Sequence, residues 1–597
     1  MKANAQTNDI QDLFGNKVFV IPTYQRSYAW TQRNWEDFWN DLHDALGSGS
    51  DHYWGTVTLR RTGEKRTTSE GDEAFTVFEV VDGQQRITTI ALFLLALSRC
   101  GRKPLYGRYL RTGGLDRLEP GGLNGGCWKL LLDGQEPKPD LRTNRLLADA
   151  LRYFEGKITA SNKAAELSDH LRMRTYVLEF AVPDESLAMR AFQSLNDRGK
   201  PLTLLEKAKS LLMYYSEQYL QGALRADIHD VFGRVFSRYD VVKEAGKALG
   251  VQYISSAKFD EDALLQSYYH YFGRHAHASL GHPHGYDWNR SAQEVFDEFL
   301  RVGCTKLRDD SVKLKAFIEG FLKHFDAFTA ALHRVMQRAA VEAPLRKLLV
   351  MLGLDAVLYP LLIGLEARGF LDDATLYELE RLDVRLYKVA ERSNRAGLYS
   401  GTISWVITAV ADAVRNAIRE YANYHVPDTA FRAALEALRY KKQVSITKYV
   451  LWEFEKASKP TFDDGNTARF ADAQLDHIWP QSPTISFPAH GFDGPDKYAE
   501  AIDRLGNLAL LESKLNAAAG NKQPAQKAKA VYQIATAFPR TENLGYRIGA
   551  DEWTRTDIER SSKDLVEFAV GWWGTKRATV LPAASTGTAN TDAPAAK

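Results

Sequence analysis

The stretch FTVFEVVDGQQRITTIALFLLAL, residues 75–97, changes its hydrophobic period midway, and that change dictates a strand running into a helix. Phe75, Val77 and the Val80-Val81 pair alternate with polar or acidic neighbours, the pattern of a half-buried strand. The run from Ile87 to Leu97 is too long and too rich in Leu and Ala for a strand, and it predicts a buried helix. Gly83 permits the tight turn between them, and Thr88 and Thr89 are expected in the first helical turn. Asp82, Gly83, Gln84, Gln85 and Arg86 then stand at a helix N-terminus, where free N–H groups and the helix dipole favour an anion. Two amides and a guanidinium at such a place suit a phosphate. Arg86 serves Asp82 or a neighbouring carboxylate equally well, and these residues alone leave that choice open.

A chain of 597 residues is too long for one hydrophobic core; its length predicts about three to four domains. With 45% hydrophobic and 25% charged residues it falls among soluble globular proteins. No apolar run approaches the roughly 18 residues of a membrane span, and the start MKANAQTNDIQDLF has no apolar signal core. A cytoplasmic protein with no membrane partner is therefore expected. Cys100, Cys127 and Cys304 are far apart and lack metal spacing, which argues against a zinc ribbon or a disulfide framework. The 77 basic and 75 acidic residues leave a net charge of +2, which neither demands nor excludes nucleic acid. Large DNA enzymes confine positive charge to one groove.

Three regions and a tail follow from the patterning. Residues 1–215 mix strand-like runs (NKVFVIPTY, FTVFEVV, TYVLEFAV) with helices and predict an α/β domain. Residues 216–455 are helical, with apolar residues recurring at three and four. A third region, 456–575, opens on the Pro/Asp/Gly-rich ASKPTFDDGNTARF, and residues 576–597 are small, polar and expected to be disordered. The chain should be mainly α overall. The segment HYFGRHAHASLGHPHGYDW carries His270, His275, His277, His282 and His284; its Gly/Pro content predicts an exposed loop, with only Asp287 at ligand spacing.

Two pieces near the C-terminus carry the strongest chemistry. LDHIWPQS puts Asp476 and His477 at a strand end stopped by Pro480. RLGNLALLESKLNAAAGNKQ puts Asn507 after a Gly turn, ahead of an apolar run and a helix with Asn516 and Asn521. The pair resembles the ββα-metal motif of HNH nucleases. In that motif a His and a preceding acid end one hairpin strand, an Asn opens the next segment, and a His or Asn nine positions later lies on the helix. The resemblance implies that His477 is the general base, its pKa being near neutrality. Asp476 and Asn516 would ligate one Mg²⁺ (or Mn²⁺). Asn507 would fix the tautomer and orientation of His477, and Arg504, Asn521 and Lys522 would touch the DNA backbone.

Upstream, FVIPTYQRSYAWTQRNWEDFWNDL combines a strand, a Pro turn, Tyr24, Gln25 and Arg26, then Tyr28 and Trp30. Trp35, Phe38 and Trp39 fall at helical spacing and are expected in the core. RAFQSLNDRGKPLTLLEKAKSLLM holds Asn196, Asp197, Arg198 and Gly199 in a turn, with Thr203 and Glu206 spaced as a capping box. Together IPTYQRSYAW, DGQQRITT and FQSLNDRGKPL resemble the ParB/sulfiredoxin-like domain of GmrSD-type restriction proteins. SspE-like phosphorothioate-sensing antiphage effectors pair the same domain with a C-terminal HNH module. That resemblance implies nucleotide binding and hydrolysis, GTP among the candidates, at Asp82, Gly83, Gln84, Gln85 and Arg86. Tyr24, Gln25, Arg26, Tyr28 and Trp30 would line the same pocket or a DNA-sensing surface. It implies an antiphage endonuclease, nicking or cleaving DNA, whose HNH module the N-terminal domain regulates. Two alternatives are a type IV enzyme cutting glucosylated or hydroxymethylated cytosine DNA, and a modification sensor without NTP turnover. No GxxxxGK[ST] occurs, so an NTPase here is not a P-loop enzyme. Homo-oligomerisation is left open.

Overall fold

The computed structural model describes residues 4–22, 27–69, 71, 73–121, 124–137, 142–182, 203–459, 461–463, 465–482, 485–534, 536–550 and 552–575. Contacts divide the chain into two compact units, Met1–Ala245 with Ala257–His333 and Gly246–Ser256 with Arg334–Lys597. The helical middle is thus shared between the two. Helix predominates, as expected of a mainly α chain.

The first unit holds strands β1 (Asn4–Asp9), β2 (Lys17–Ile21), β3 (His52–Thr67), β4 (Ala74–Asp82), β5 (Arg111–Thr112), β6 (Leu115–Asp116), β7 (Leu118–Pro120) and β8 (Thr175–Val182). β5 and β6 pair with each other, and the other six form a mixed sheet in the order β1-β8-β3-β4-β2-β7. β2 runs parallel to β4 and β7, and β3 parallel to β8. Parallel neighbours need crossover connections. The helices of this part are α1 (Ile10–Leu13), α2 (Gln32–Ser48), α3 (Gln84–Arg99), α4 (Asn124–Leu132), α5 (Arg142–Ser161) and α6 (Ala164–Arg174). One core unites Phe19, Val57, Leu59 and Val80 of the sheet with Trp35, Phe38 and Trp39 of α2, Phe93 of α3, Phe154 of α5 and Leu171 of α6. Val18, Phe75 and Val77 have the opposite strand parity and form a separate small cluster.

Helix α3 is buried on every side from Ile87 to Ser98, which is why its sequence shows no polar stripe. Because α3 starts at Gln84, Thr88 and Thr89 fall in its second turn, not its first. The capping box at Thr203 forms: Glu206 N donates to Thr203 Oγ1 at 3.2 Å and Thr203 N to Glu206 Oε2 at 2.9 Å.

The histidine-rich segment departs from the expected exposed loop. Its first half belongs to the helix Glu261–Ser279, and His270 and His282 are buried. Leu264, Leu265, Tyr268, Tyr269 and Phe272 bury the helix and override the turn preference of Gly273. His282 Nε2 donates to the Phe299 carbonyl at 2.8 Å, a packing role. Among the described residues no group of three or more His, Cys, Asp or Glu is placed to hold a metal ion, and no helix is long and apolar enough to cross a membrane.

In the second unit, helices surround a two-stranded antiparallel ribbon, β9 (Ala473–His477) and β10 (Leu508–Glu512). Leu508 faces His477 and Ala509 faces Asp476 across it, and the helix Ser513–Ala519 follows β10 directly. A core of Ile478, Trp479, Phe492, Tyr498, Ala509, Leu511, Tyr532 and Trp553 backs the ribbon. The turn Leu505–Asn507 lies on the last helix, Arg555–Trp573, where Gly506 N donates to Ser562 Oγ at 3.0 Å. A Cβ on Gly506 would stand 2.1 Å from the Ile558 carbonyl oxygen, so only glycine allows this approach.

Candidate functional site

The turn from β4 into α3 forms as its sequence predicts. Gly83 caps α3 with φ 89°, and no side chain caps the helix there. A Cβ on Gly83 would meet Val57 Cγ2 at 3.1 Å and the Thr56 carbonyl oxygen at 3.3 Å, so the left-handed turn is also a close approach. Gln85 turns inward. Its Oε1 accepts from Ala29 N at 2.9 Å and its Nε2 donates to the Ser27 carbonyl at 3.3 Å, so it pins the segment after residue 26. Arg86 Nη1 donates to the Thr56 carbonyl at 2.8 Å rather than serving Asp82. The register of β3 against β8 shifts between Tyr53 and Thr56. Gly55 sits in that irregularity with φ 89°, and its missing side chain leaves room for the guanidinium. Asp82, Gln84 and Arg86 stay half-buried at the helix end.

Tyr28 stands in the core, not on a binding surface. Its hydroxyl pairs with Thr89 Oγ1 at 2.8 Å and accepts from Trp35 Nε1 at 3.0 Å, and its backbone N donates to Asn124 Oδ1 at 2.6 Å. Burial drives the phenol well above its ordinary pKa, so it stays neutral. Trp30 is half-buried with its ring 6.2 Å from that of Trp54. Tyr24, Gln25 and Arg26 lie outside the described residues, as do Asn196, Asp197, Arg198, Gly199 and the tail 576–597.

At the C-terminal constellation, β9 delivers Asp476 and His477 as consecutive residues of a strand, so their side chains leave on opposite faces. On one face Asp476 is buried. Lys527 Nζ donates to its Oδ1 at 2.8 Å and the Tyr532 hydroxyl to its Oδ2. Lys527 also donates to the His477 carbonyl at 2.6 Å. Burial raises the Asp476 pKa while Lys527 pulls it down, and burial lowers that of Lys527. On the other face His477 Nε2 lies 3.1 Å from Asp503 Oδ1, with the Tyr440 ring edge-on at 4.5 Å. Burial lowers the His477 pKa against the opposing pull of Asp503.

Asn507 is fully buried, but the hydrogen bonds of its amide go to backbone rather than to the imidazole. Its Oδ1 accepts from Trp479 N at 2.9 Å; its Nδ2 donates to the Trp479 carbonyl at 3.0 Å and the Ile502 carbonyl at 2.8 Å. It therefore holds the chain leaving His477. Asn516 is half-buried on the helix after β10. Arg504 is half-buried, while Asn521 and Lys522 are exposed, Lys522 donating to the Ala518 carbonyl. Asp503, Lys527, Tyr532 and Tyr440 were not legible as neighbours of Asp476 and His477. Asp503 is 26 positions from His477 and Lys527 is 51 from Asp476, and no short motif links them.

A model of the GmrSD restriction endonuclease N-terminal domain matches residues 10–213, and one of the GmrSD restriction endonuclease C-terminal domain matches residues 426–568. Together they take in more than half of the chain, one carrying the turn at Gly83 and the other the β9–β10 ribbon. The protein is thus a restriction nuclease of phage defence, and DNA is its substrate. It belongs to the GmrSD family of restriction endonucleases. No match is found among curated proteins.

Proposed function

We propose that the β9–β10 ribbon with the helix Ser513–Ala519 is an HNH-type phosphodiester-cleaving centre in which His477 is the general base. The observation that carries this reading is His477 at the strand end, its ring held from one side and its following backbone clamped by Asn507. A base needs a fixed imidazole, and the Asp503 contact with the Asn507 clamp supplies one. Arg504, Asn521 and Lys522 would hold backbone phosphates beside it.

Asp476 and Asn516 would be the oxygen ligands of a divalent ion of the Mg²⁺ or Mn²⁺ type. Each Asp476 oxygen has one hydrogen-bonded neighbour and keeps a free lone pair, and Asn516 offers an amide oxygen on the adjoining helix. Such ions are bound through one or two carboxylates with waters and substrate phosphates, not by all-protein cages. When bound, the ion would neutralise charge on the leaving 3′ oxygen. Lys527 and Tyr532 hold the Asp476 carboxyl in place, Lys527 opposing the upward pull of burial on its pKa.

His477→Ala is expected to cut cleavage of plasmid DNA by about 10²–10⁴-fold with DNA binding unchanged. Full activity in that variant would end the reading.

For the N-terminal domain, the uncapped start of α3 with Arg86 beside it supports an NTP site, GTP among the candidates, that regulates the nuclease. DNA modification such as phosphorothioate, or glucosylated or hydroxymethylated cytosine, would be the cue. A sensor without NTP turnover is the competing reading. Phosphate release measured with and without each modified DNA separates the two.

A further inference from the structure

We propose that Asp503 is the positioning residue of the nuclease centre: it holds the hydrogen on His477 Nε2 and thereby leaves Nδ1 as the atom that takes the water proton. This rests on the assignment of His477 as base and goes on to name the atom and its holder.

The geometry is specific. Asp503 Oδ1 lies 3.1 Å from His477 Nε2, and both side chains are about nine-tenths buried, so water competes little for the bond. Lys441 Nζ stands 3.6 Å from the second oxygen, Oδ2, so the carboxylate has a cation on its far side. An ionised carboxylate only accepts hydrogen bonds. The shared hydrogen must therefore sit on Nε2, and a neutral imidazole then carries its lone pair on Nδ1.

The backbone around Asp503 is built to hold that distance. Asp503 ends the helix Pro495–Ile502, and its carbonyl accepts from Tyr440 N at 3.0 Å. Asn507 ties the carbonyl of Ile502, just before Asp503, to Trp479, two residues after His477. Asn507 fixes the spacing of the two segments and Asp503 makes the bond to the ring. The Tyr440 ring, edge-on at 4.5 Å, obstructs a flip of the imidazole.

In the cleavage step the proton lost by water passes to Nδ1 as the water oxygen bonds to phosphorus. The P–O3′ bond breaks with its electron pair leaving on the 3′ oxygen. The resulting imidazolium is stabilised by Asp503 through the Nε2 hydrogen.

The test uses the full-length protein with histidines labelled with ¹⁵N, the His477 signals being assigned by their loss in His477→Ala. Wild type is expected to show a protonated Nε2 and an unprotonated Nδ1. Asp503→Asn keeps the size of the side chain but loses its charge. It should lower kcat for plasmid cleavage by about 10²–10³-fold, within the range for a general-base contribution, with KM and Tm nearly unchanged. A wild-type signal with the hydrogen on Nδ1, or full kcat in Asp503→Asn, would overturn the proposal. Full activity in His477→Ala would instead remove the nuclease assignment beneath it. An inactive His477→Ala beside a fully active Asp503→Asn would sink the positioning role alone.

Discussion

Lys527 shows how a single residue can be decisive without being recognisable. Its ammonium is 1% exposed and meets a carboxylate that is 5% exposed, so neither charge has water to fall back on. A buried pair adds little net stability, but removing one partner strands the other charge. Lys527→Met is expected to lower unfolding stability by about 3–5 kcal/mol, read by thermal or denaturant melts. Combining it with Asp476→Asn should recover most of that loss, because the stranded carboxylate is gone. That Asp476, His477 and Asn507 meet at one ribbon was legible because they sit in two short pieces of sequence. What Asn507 does was not legible, because an amide that bonds backbone and one that bonds imidazole look the same in sequence.

Among the elements, the short strands and the turn at Gly83 follow from local rules, since period and glycine suffice. The helix Glu261–Ser279 did not, because its Gly and His residues argue for a loop until the buried tyrosines and leucines are placed. The π-helical stretch Asp383–Val389 holds a further burial that sequence hides. Asp383 is wholly buried, its Oδ1 has no hydrogen-bond partner among the described residues, and burial pushes its pKa up to about 7. The folded state therefore binds a proton that the unfolded chain releases near pH 4. Stability from this group is present below about pH 4 and is lost as pH rises to about 7. Asp383→Asn should match wild type at pH 4 and exceed it at pH 8 by up to about 4 kcal/mol, measured by denaturant unfolding at both pH values.

At the scale of the whole molecule, the proposed nuclease centre and the fold around it are separable. Asp476 is already compensated by Lys527 and Tyr532, and the ribbon rests on Trp479, Tyr532 and Trp553. Chelating divalent ions should therefore stop DNA cleavage and leave Tm unchanged within about 1–2 °C, a shift of less than about 1 kcal/mol for a protein of this size. A large drop in Tm would mean that the ion holds the fold and not only the chemistry.

The sequence alone determined the features whose cause is local. These are the strand, turn and helix at residues 75–97, the capping box at Thr203, the aromatic core positions of α2 and the paired pieces around His477 and Asn507. Their physics is period, glycine freedom and short-range spacing. Only the tertiary structure decided what surrounds each of them. It set Arg86 on the Thr56 carbonyl, buried Tyr28 against Thr89, and gave His477 an Asp503 partner and Asp476 a Lys527 partner. Those pairings join residues 26 to 61 positions apart, and packing, which no local pattern encodes, brings them together.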